Sequence, residues 1–293
     1  MSAVLRSAKT IALAAAAAVA ITAVGQGVWG ALAIANVRLS PAIPWAPAVM
    51  LVVLPVMLAL LGGKIGPKAG AAARRALLPL KAASGAVWTW SLIAGAIGIA
   101  FCALLWITLG ELVPAAPNAL PDIGQMPIWT RLAFLGMGIV AAPLTEECAF
   151  RGYAMNMIRK VMPDAWALVL VSLMFALVHL THGFYLTKLS VYLLVGLGLG
   201  FTAWRAGSLI PAAVVHSAGD LTFFTLVWPY DAHRAHVSLA AAEPAFWLQV
   251  VLTLALGAAT FAAYAQLARV TRTGTPKAAS SYARNAAPSP ERG

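Results

Sequence analysis

Val87 to Gly110 read VWTWSLIAGAIGIAFCALLWITLG, without one Asp, Glu, Lys, Arg or His. A helix needs about 20 mostly apolar residues to cross the hydrocarbon core of a bilayer, and this stretch supplies them. Working outward, seven further runs of the same character follow: Thr10–Ala35, Trp45–Gly63, Trp129–Ile158, Ala165–Thr181, Leu189–Trp204, Ser208–Trp228 and Ala245–Ala268. Proline, glycine and charge punctuate them at Pro41 to Pro47, Pro67 to Lys81, Pro114 to Pro127 and Pro229 to Pro244. The pattern predicts an all-α fold, a polytopic integral membrane bundle of about eight transmembrane helices. Residues 1–268 form its single domain, and 269–293, rich in Ser, Pro, Ala and Arg, form a basic disordered cytoplasmic tail.

Composition agrees. Hydrophobic residues make up 61%, charged residues 10%, and mean hydropathy is +0.85; soluble domains carry about 25% charged residues. This excludes a disordered chain, collagen, a coiled coil and a free soluble enzyme. The net charge of +11 would suggest nucleic acid in a soluble chain. Here it serves topology, and no nucleic-acid partner is expected. With the N-terminus inside, 15 Lys and Arg fall on the cytoplasmic side and four, Arg38, Arg131, Lys188 and Arg234, outside. That asymmetry obeys the positive-inside rule and predicts a cell-membrane protein with both termini cytoplasmic. Arg6 and Lys9 before Ile11–Val24 also resemble a signal peptide, but apolar character continues past Gln26 to Ala35, which favours a retained first span.

Ionisable groups at bilayer depth cost roughly 2.5–3.5 kcal/mol each, and they cluster in three runs. Glu146, Glu147 and Arg151 lie in the fourth, His179 in the fifth, and His216 and Asp220 in the seventh. Glu147 and Arg151 are one helical turn apart, as are His216 and Asp220. A rise of about 1.5 Å per residue puts Glu147 about 18 Å, His179 about 22 Å, and His216 and Asp220 about 16 and 22 Å from the cytoplasmic ends. Helices of opposite direction thus bring carboxylates and imidazoles to one level, the equipment for activating a water and passing on its proton. The alternative is a polar network that merely glues helices together.

Other polar residues carry less. Cys148 lies on an apolar helix and reads as packing; with Cys102 it makes no disulfide framework. Ser217 beside His216 lacks a GxSxG, since Val215 holds the first glycine position. His182, His233 and His236 read as solvated or interfacial. Gly196, Gly198 and Gly200 predict close helix approach, and Trp45, Trp129 and Trp228 read as interfacial anchors. The basic stretch Lys64–Lys81 is a topology signal, with anionic-lipid contact a further option.

Three motifs carry a family resemblance. Glu146-Glu147-Cys148-Ala149-Phe150-Arg151 fits EExxxR, Phe175 to His179 fits FxxxH, and His216 to Asp220 fits HxxxN/D. In order and separation they resemble the CPBP (CAAX protease and bacteriocin-processing) or Abi intramembrane proteases, which include the Rce1-type CAAX prenyl endopeptidases. The motifs span roughly 140–222, in a core of about 129–228. The resemblance implies hydrolysis of a peptide bond in a membrane-associated peptide or protein, within a cavity open to the cytoplasm. By position, Glu146 would activate the water with help from His179. Glu147 and Arg151 would orient and neutralise the site, and His216 and Asp220 would stabilise the oxyanion. Asp220 stands where Asn is common; ionised, it cannot donate to an oxyanion, so it would be protonated, orient His216 or bind a metal.

Zinc on Glu146, His179, His216 and Asp220, with a position open for water, is one option. No HExxH is present, and the metal-free mechanism is favoured. Two other classes fit the composition. One is a non-catalytic membrane immunity or scaffold protein that binds a peptide. The other is an ion-coupled transporter, against which the lack of an inverted repeat counts.

Overall fold

The computed structural model describes residues 3–113, 126–182 and 186–273. Residues 114–125 with Asp122, residues 274–293 and the His182 side chain lie outside the described residues. Eleven helices follow in chain order among the described residues. They are α1 (Ala3–Leu39), α2 (Trp45–Leu61), α3 (Ala71–Leu77), α4 (Gly85–Leu112), α5 (Ile128–Glu146), α6 (Met155–Ile158), α7 (Asp164–Val178), α8 (Leu186–Ala206), α9 (Ile210–Thr222), α10 (Trp228–Asp231) and α11 (Pro244–Thr273). π-Helical turns join α5 to α6 (Glu147–Ala154) and α9 to α10 (Phe223–Val227). The described residues contain no strand.

The all-helical, polytopic expectation holds. Among the described residues, six helices are long and apolar enough to cross a membrane: Val4–Leu39, Gly85–Leu112, Ile128–Ile158, Thr187–Ala206, Ile210–Asp231 and Pro244–Arg272. The other two expected spans, Trp45–Leu61 and Asp164–Val178, are apolar but only 17 and 15 residues long. At about 1.5 Å per residue both fall short of the roughly 30 Å core, so eight full crossings are not established. The shortening has local causes. Gly62 and Gly63 close α2, with φ of Gly63 at +64°, a conformation cheap only for glycine. At His179 the chain tightens into a 3₁₀ turn, His179–His182.

Termini and turns follow the punctuation. Ser84 caps α4, its Oγ accepting from Val87 N at 3.4 Å. Asn36, fully buried, stitches α1 to α2: Nδ2 donates to Ser40 O (2.7 Å) and Ile43 O (2.8 Å), and Oδ1 accepts from Ala46 N (2.7 Å). Pro163 and Asp164 start α7, and Asp164 pairs with Arg159 at 2.8 Å. Tyr153 and Asn156 tie down the basic segment through bonds to Leu61 O (2.7 Å) and Leu77 O (3.1 Å).

The main core joins α1, the π-turn after α5, and α7. Ala14 and Ala18 of α1 pack with Phe150, Ala154, Val171 and Phe175. α1 is thus integral to the bundle, one unbroken helix through and past Ile11–Val24. Outward faces stay apolar and exposed, as at Leu51, Val52, Val251 and Leu254, which is the surface a bilayer accepts and water does not. The chain is an integral membrane protein.

Candidate active site

α5 carries Glu146 at its last position and the π-turn carries Glu147 and Arg151; all three are buried. Proline lacks the N–H of a regular helix, and Pro143 sits one turn before the change of winding. Thr145 beside it turns its hydroxyl back onto the Ala141 and Ala142 carbonyls at 2.9 Å each. π-Turns are rare and often mark functional sites.

The structure brings the six residues together. His216 of α9 is the hub. Its Nδ1–H donates to Glu147 Oε1 at 2.9 Å, and its Nε2 lies 3.6 Å from Glu146 Oε2 and 3.7 Å from Asp220 Oδ1. Arg151 Nη1 donates to that same Glu147 oxygen at 2.9 Å and Nη2 to Gly196 O of α8 at 3.3 Å. Its guanidinium carbon stands 4.4 Å from the Phe175 ring centroid, a cation over an aromatic face.

His179 joins through the same ring. Phe175 lies 4.7 Å from the His179 ring and 6.0 Å from the His216 ring, centroid to centroid. The two imidazoles therefore flank one aromatic side chain. His179 Nδ1 bonds the Phe175 carbonyl at 2.7 Å. A carbonyl only accepts, so Nδ1 carries the proton and Nε2 is the basic nitrogen of the neutral ring. Tyr192 of α8 stacks on His179 at 4.2 Å and fixes its plane.

A cavity of about 1480 Å³ lies between α1, α4, α5, α7, α8, α9 and α11, and Glu146, His179, His216 and Asp220 all line it. Glu147 and Arg151 stand behind that wall. The rest of the lining is mostly apolar, including Phe175, Trp106, Phe223 and Phe261. Both carboxylates of the EE pair thus meet one imidazole, but only one of them meets the cavity.

Each histidine donates Nδ1–H to a carbonyl or carboxylate, which orients Nε2 equally well for an ion or a water. Among the described residues, however, no group of three or more His, Cys, Asp or Glu side chains is gathered closely enough to hold a metal ion.

Residues outside the motifs also reach the site. Gln26 of α1 donates Nε2–H to Glu146 Oε1 at 2.7 Å; its only signal in the sequence is an amide inside an apolar run. Tyr192 and the Gly196 carbonyl carried no signal of their own. Gly196 packs on the α7 backbone, and an added Cβ there would lie 3.1 Å from Ser172 Cα, as the close-approach expectation required. Cys148 packs with Leu78, Leu209 and Ala212, while His233 and His236 are exposed. A second polar cluster, at the far end of α4, is fully paired around Glu111. Tyr230 Oη donates to it at 2.5 Å and Gln249 Nε2 at 2.7 Å.

No curated protein and no solved structure matches this chain. The family model described as type II CAAX prenyl endopeptidase Rce1-like matches residues 127–222, so this chain is similar to that family over the segment from α5 to α9 that bears all six residues.

Proposed function

We propose that this protein is an intramembrane endopeptidase that hydrolyses a peptide bond of a membrane-associated or lipidated, CAAX-like substrate. The family match supports peptidase activity at the coarse level. One observation carries the finer reading: Glu146 Oε2 stands 3.6 Å from His216 Nε2 on the wall of a cavity that His179 and Asp220 also line. That gap is too long for a direct hydrogen bond and suits a bridging water.

In this reading Glu146 takes a proton from that water, with His179 Nε2 as the assisting base. The hydroxide adds to the scissile carbonyl carbon, and the oxyanion meets His216 Nε2–H. The proton then passes to the leaving nitrogen, the C–N bond breaks, and an acid and an amine result. Glu147 and Arg151 hold His216 from behind, and Asp220 orients it from the cavity side. No metal is required. The apolar lining suits a substrate that arrives from the bilayer, and the charge asymmetry of the loops supports a reading with the protein in the cell membrane and both termini cytoplasmic.

The test compares membrane proteomes of cells carrying wild type, Glu146→Ala or His179→Ala. A cleaved peptide seen only with wild type, with all three proteins at equal membrane levels, is the expected result. Losing a general base costs typically 10²–10⁴-fold, and chelators should leave cleavage intact. If both variants kept the wild-type peptides and phenotype, a non-catalytic peptide-binding role would replace this one.

A further inference from the structure

We propose that Gln26 is a positioning residue that assigns the two oxygens of Glu146 their duties, so that α1 completes the site although it lies outside the matched segment. The inference rests on the hydrolytic reading above. Gln26 Nε2 donates to Glu146 Oε1 at 2.7 Å, a short contact of the kind made to a charged acceptor. With Oε1 held, Oε2 is the oxygen turned toward His216 Nε2 at 3.6 Å. Gln26 also lines the cavity beside Glu146. The amide therefore fixes the carboxylate plane and leaves one oxygen to receive the proton of the water.

Helix packing sets this register. The residue before Gln26 is Gly25 and the residue before Glu146 is Thr145, and these two meet. A Cβ on Gly25 would fall 2.6 Å from Thr145 Cγ2, closer than atoms can sit. The absent side chain lets α1 lie directly on the end of α5, and the next residue of each helix then faces the other. A glutamine placed there only to fill space would gain nothing from an amide. In an apolar helix an amide costs insertion energy unless it has a partner, and its partner is the proposed base.

The experiment uses the full chain in detergent micelles with an internally quenched peptide bearing an S-farnesylated cysteine. Wild type and Glu146→Ala come first: equal rates would sink the hydrolytic reading itself. Given a wild-type signal, Gln26→Met keeps the side-chain length without the donor. Its kcat should fall about 10- to 100-fold, the size of a lost hydrogen bond to a charged group, with KM within about twofold and the unfolding midpoint unchanged. Gln26→Glu keeps the shape but sets an acceptor against Glu146, and should fall further than Gln26→Met. The inference is overturned by an unchanged kcat in Gln26→Met, by a rise in KM alone, by a loss that tracks a lower midpoint, or by Gln26→Glu outperforming Gln26→Met.

Discussion

Arg151→Met separates what holds this site together from what reacts in it. Arg151 and Glu147 are each about 1% exposed at the side chain and joined at 2.9 Å, and Arg151 also holds Gly196 O and covers Phe175. The pair is already under-satisfied, since Glu147 Oε2 and Arg151 Nε have no hydrogen-bond partner in the structure. Removing the cation leaves Glu147 buried with His216 as its one remaining contact of opposite charge. Breaking a buried pair from one side costs roughly 3–5 kcal/mol. A desolvated cation–π contact adds up to about 2 kcal/mol, partly offset by the apolar methionine. A net loss near 4 kcal/mol corresponds to a fall on the order of 10 °C in the unfolding midpoint, measurable in detergent micelles. Removing both charges, as Glu147→Gln with Arg151→Met, should restore most of that midpoint, because a buried pair replaced whole is often neutral. Cleavage should stay lost, because His216 Nδ1 no longer meets a carboxylate. A single variant within about 2 °C of wild type, or a double variant no better than the single, would refute the assignment of this pair to the scaffold.

Three further outcomes follow from the same geometry. Asp220→Asn should stay within about tenfold of wild type in kcat while Asp220→Ala falls at least about 30-fold, because an amide can still orient His216 and donate to an oxyanion; equal rates in the two variants would remove Asp220 from the site. Gly196→Val should lower both stability and activity, since even the first added carbon would lie 3.1 Å from Ser172 Cα and Arg151 depends on the Gly196 carbonyl; a wild-type midpoint would show that α7 and α8 can separate freely. Intact mass of the purified protein should include residues 10–39, because α1 supplies Ala14 and Ala18 to the core and Gln26 to Glu146. A mature start after Val24 would contradict that packing.

The helical, membrane-spanning class was legible because it rests on run length and charge alone, quantities that need no tertiary contact. Two features of the runs were not. Trp45–Gly63 and Ala165–Thr181 look as apolar as their neighbours, but glycine geometry ends α2 at Leu61 and a 3₁₀ turn ends α7 at Val178. Mean hydropathy does not register either stop. At the site, the spacing of charged residues against the bilayer was enough to bring Glu146, Glu147, His179, His216 and Asp220 to one level, with Arg151 one helical turn from Glu147. The hub was invisible: four-residue spacing pairs His216 with Asp220, whereas the short contact of its ring is to Glu147 on another helix. Gln26, Tyr192 and the Gly196 carbonyl were hidden for a related reason. An amide, a phenol or a backbone oxygen carries no charge penalty large enough to stand out in an apolar run, so only the packing of α1 and α8 shows what each one touches.

The adjacent glutamates show how far one dimension can carry the argument. Side chains at consecutive helical positions diverge by about 100°, so Glu146 and Glu147 must meet different surroundings wherever this helix lies. Glu147 turns inward to Arg151 and His216, away from the cavity, and becomes part of the frame. Glu146 turns to the cavity, to Gln26 and to the far nitrogen of that same imidazole. Two carboxylates pushed into unlike environments by their neighbours is the pattern that divides reacting groups from supporting ones. His216 couples the two: any shift of the Glu147–Arg151 pair moves the imidazole, and with it the group facing Glu146 Oε2. A substitution in the frame therefore acts on kcat through His216 and leaves the cavity wall that receives substrate in place. KM in the Glu147→Gln, Arg151→Met protein should accordingly remain near the wild-type value at whatever residual rate survives.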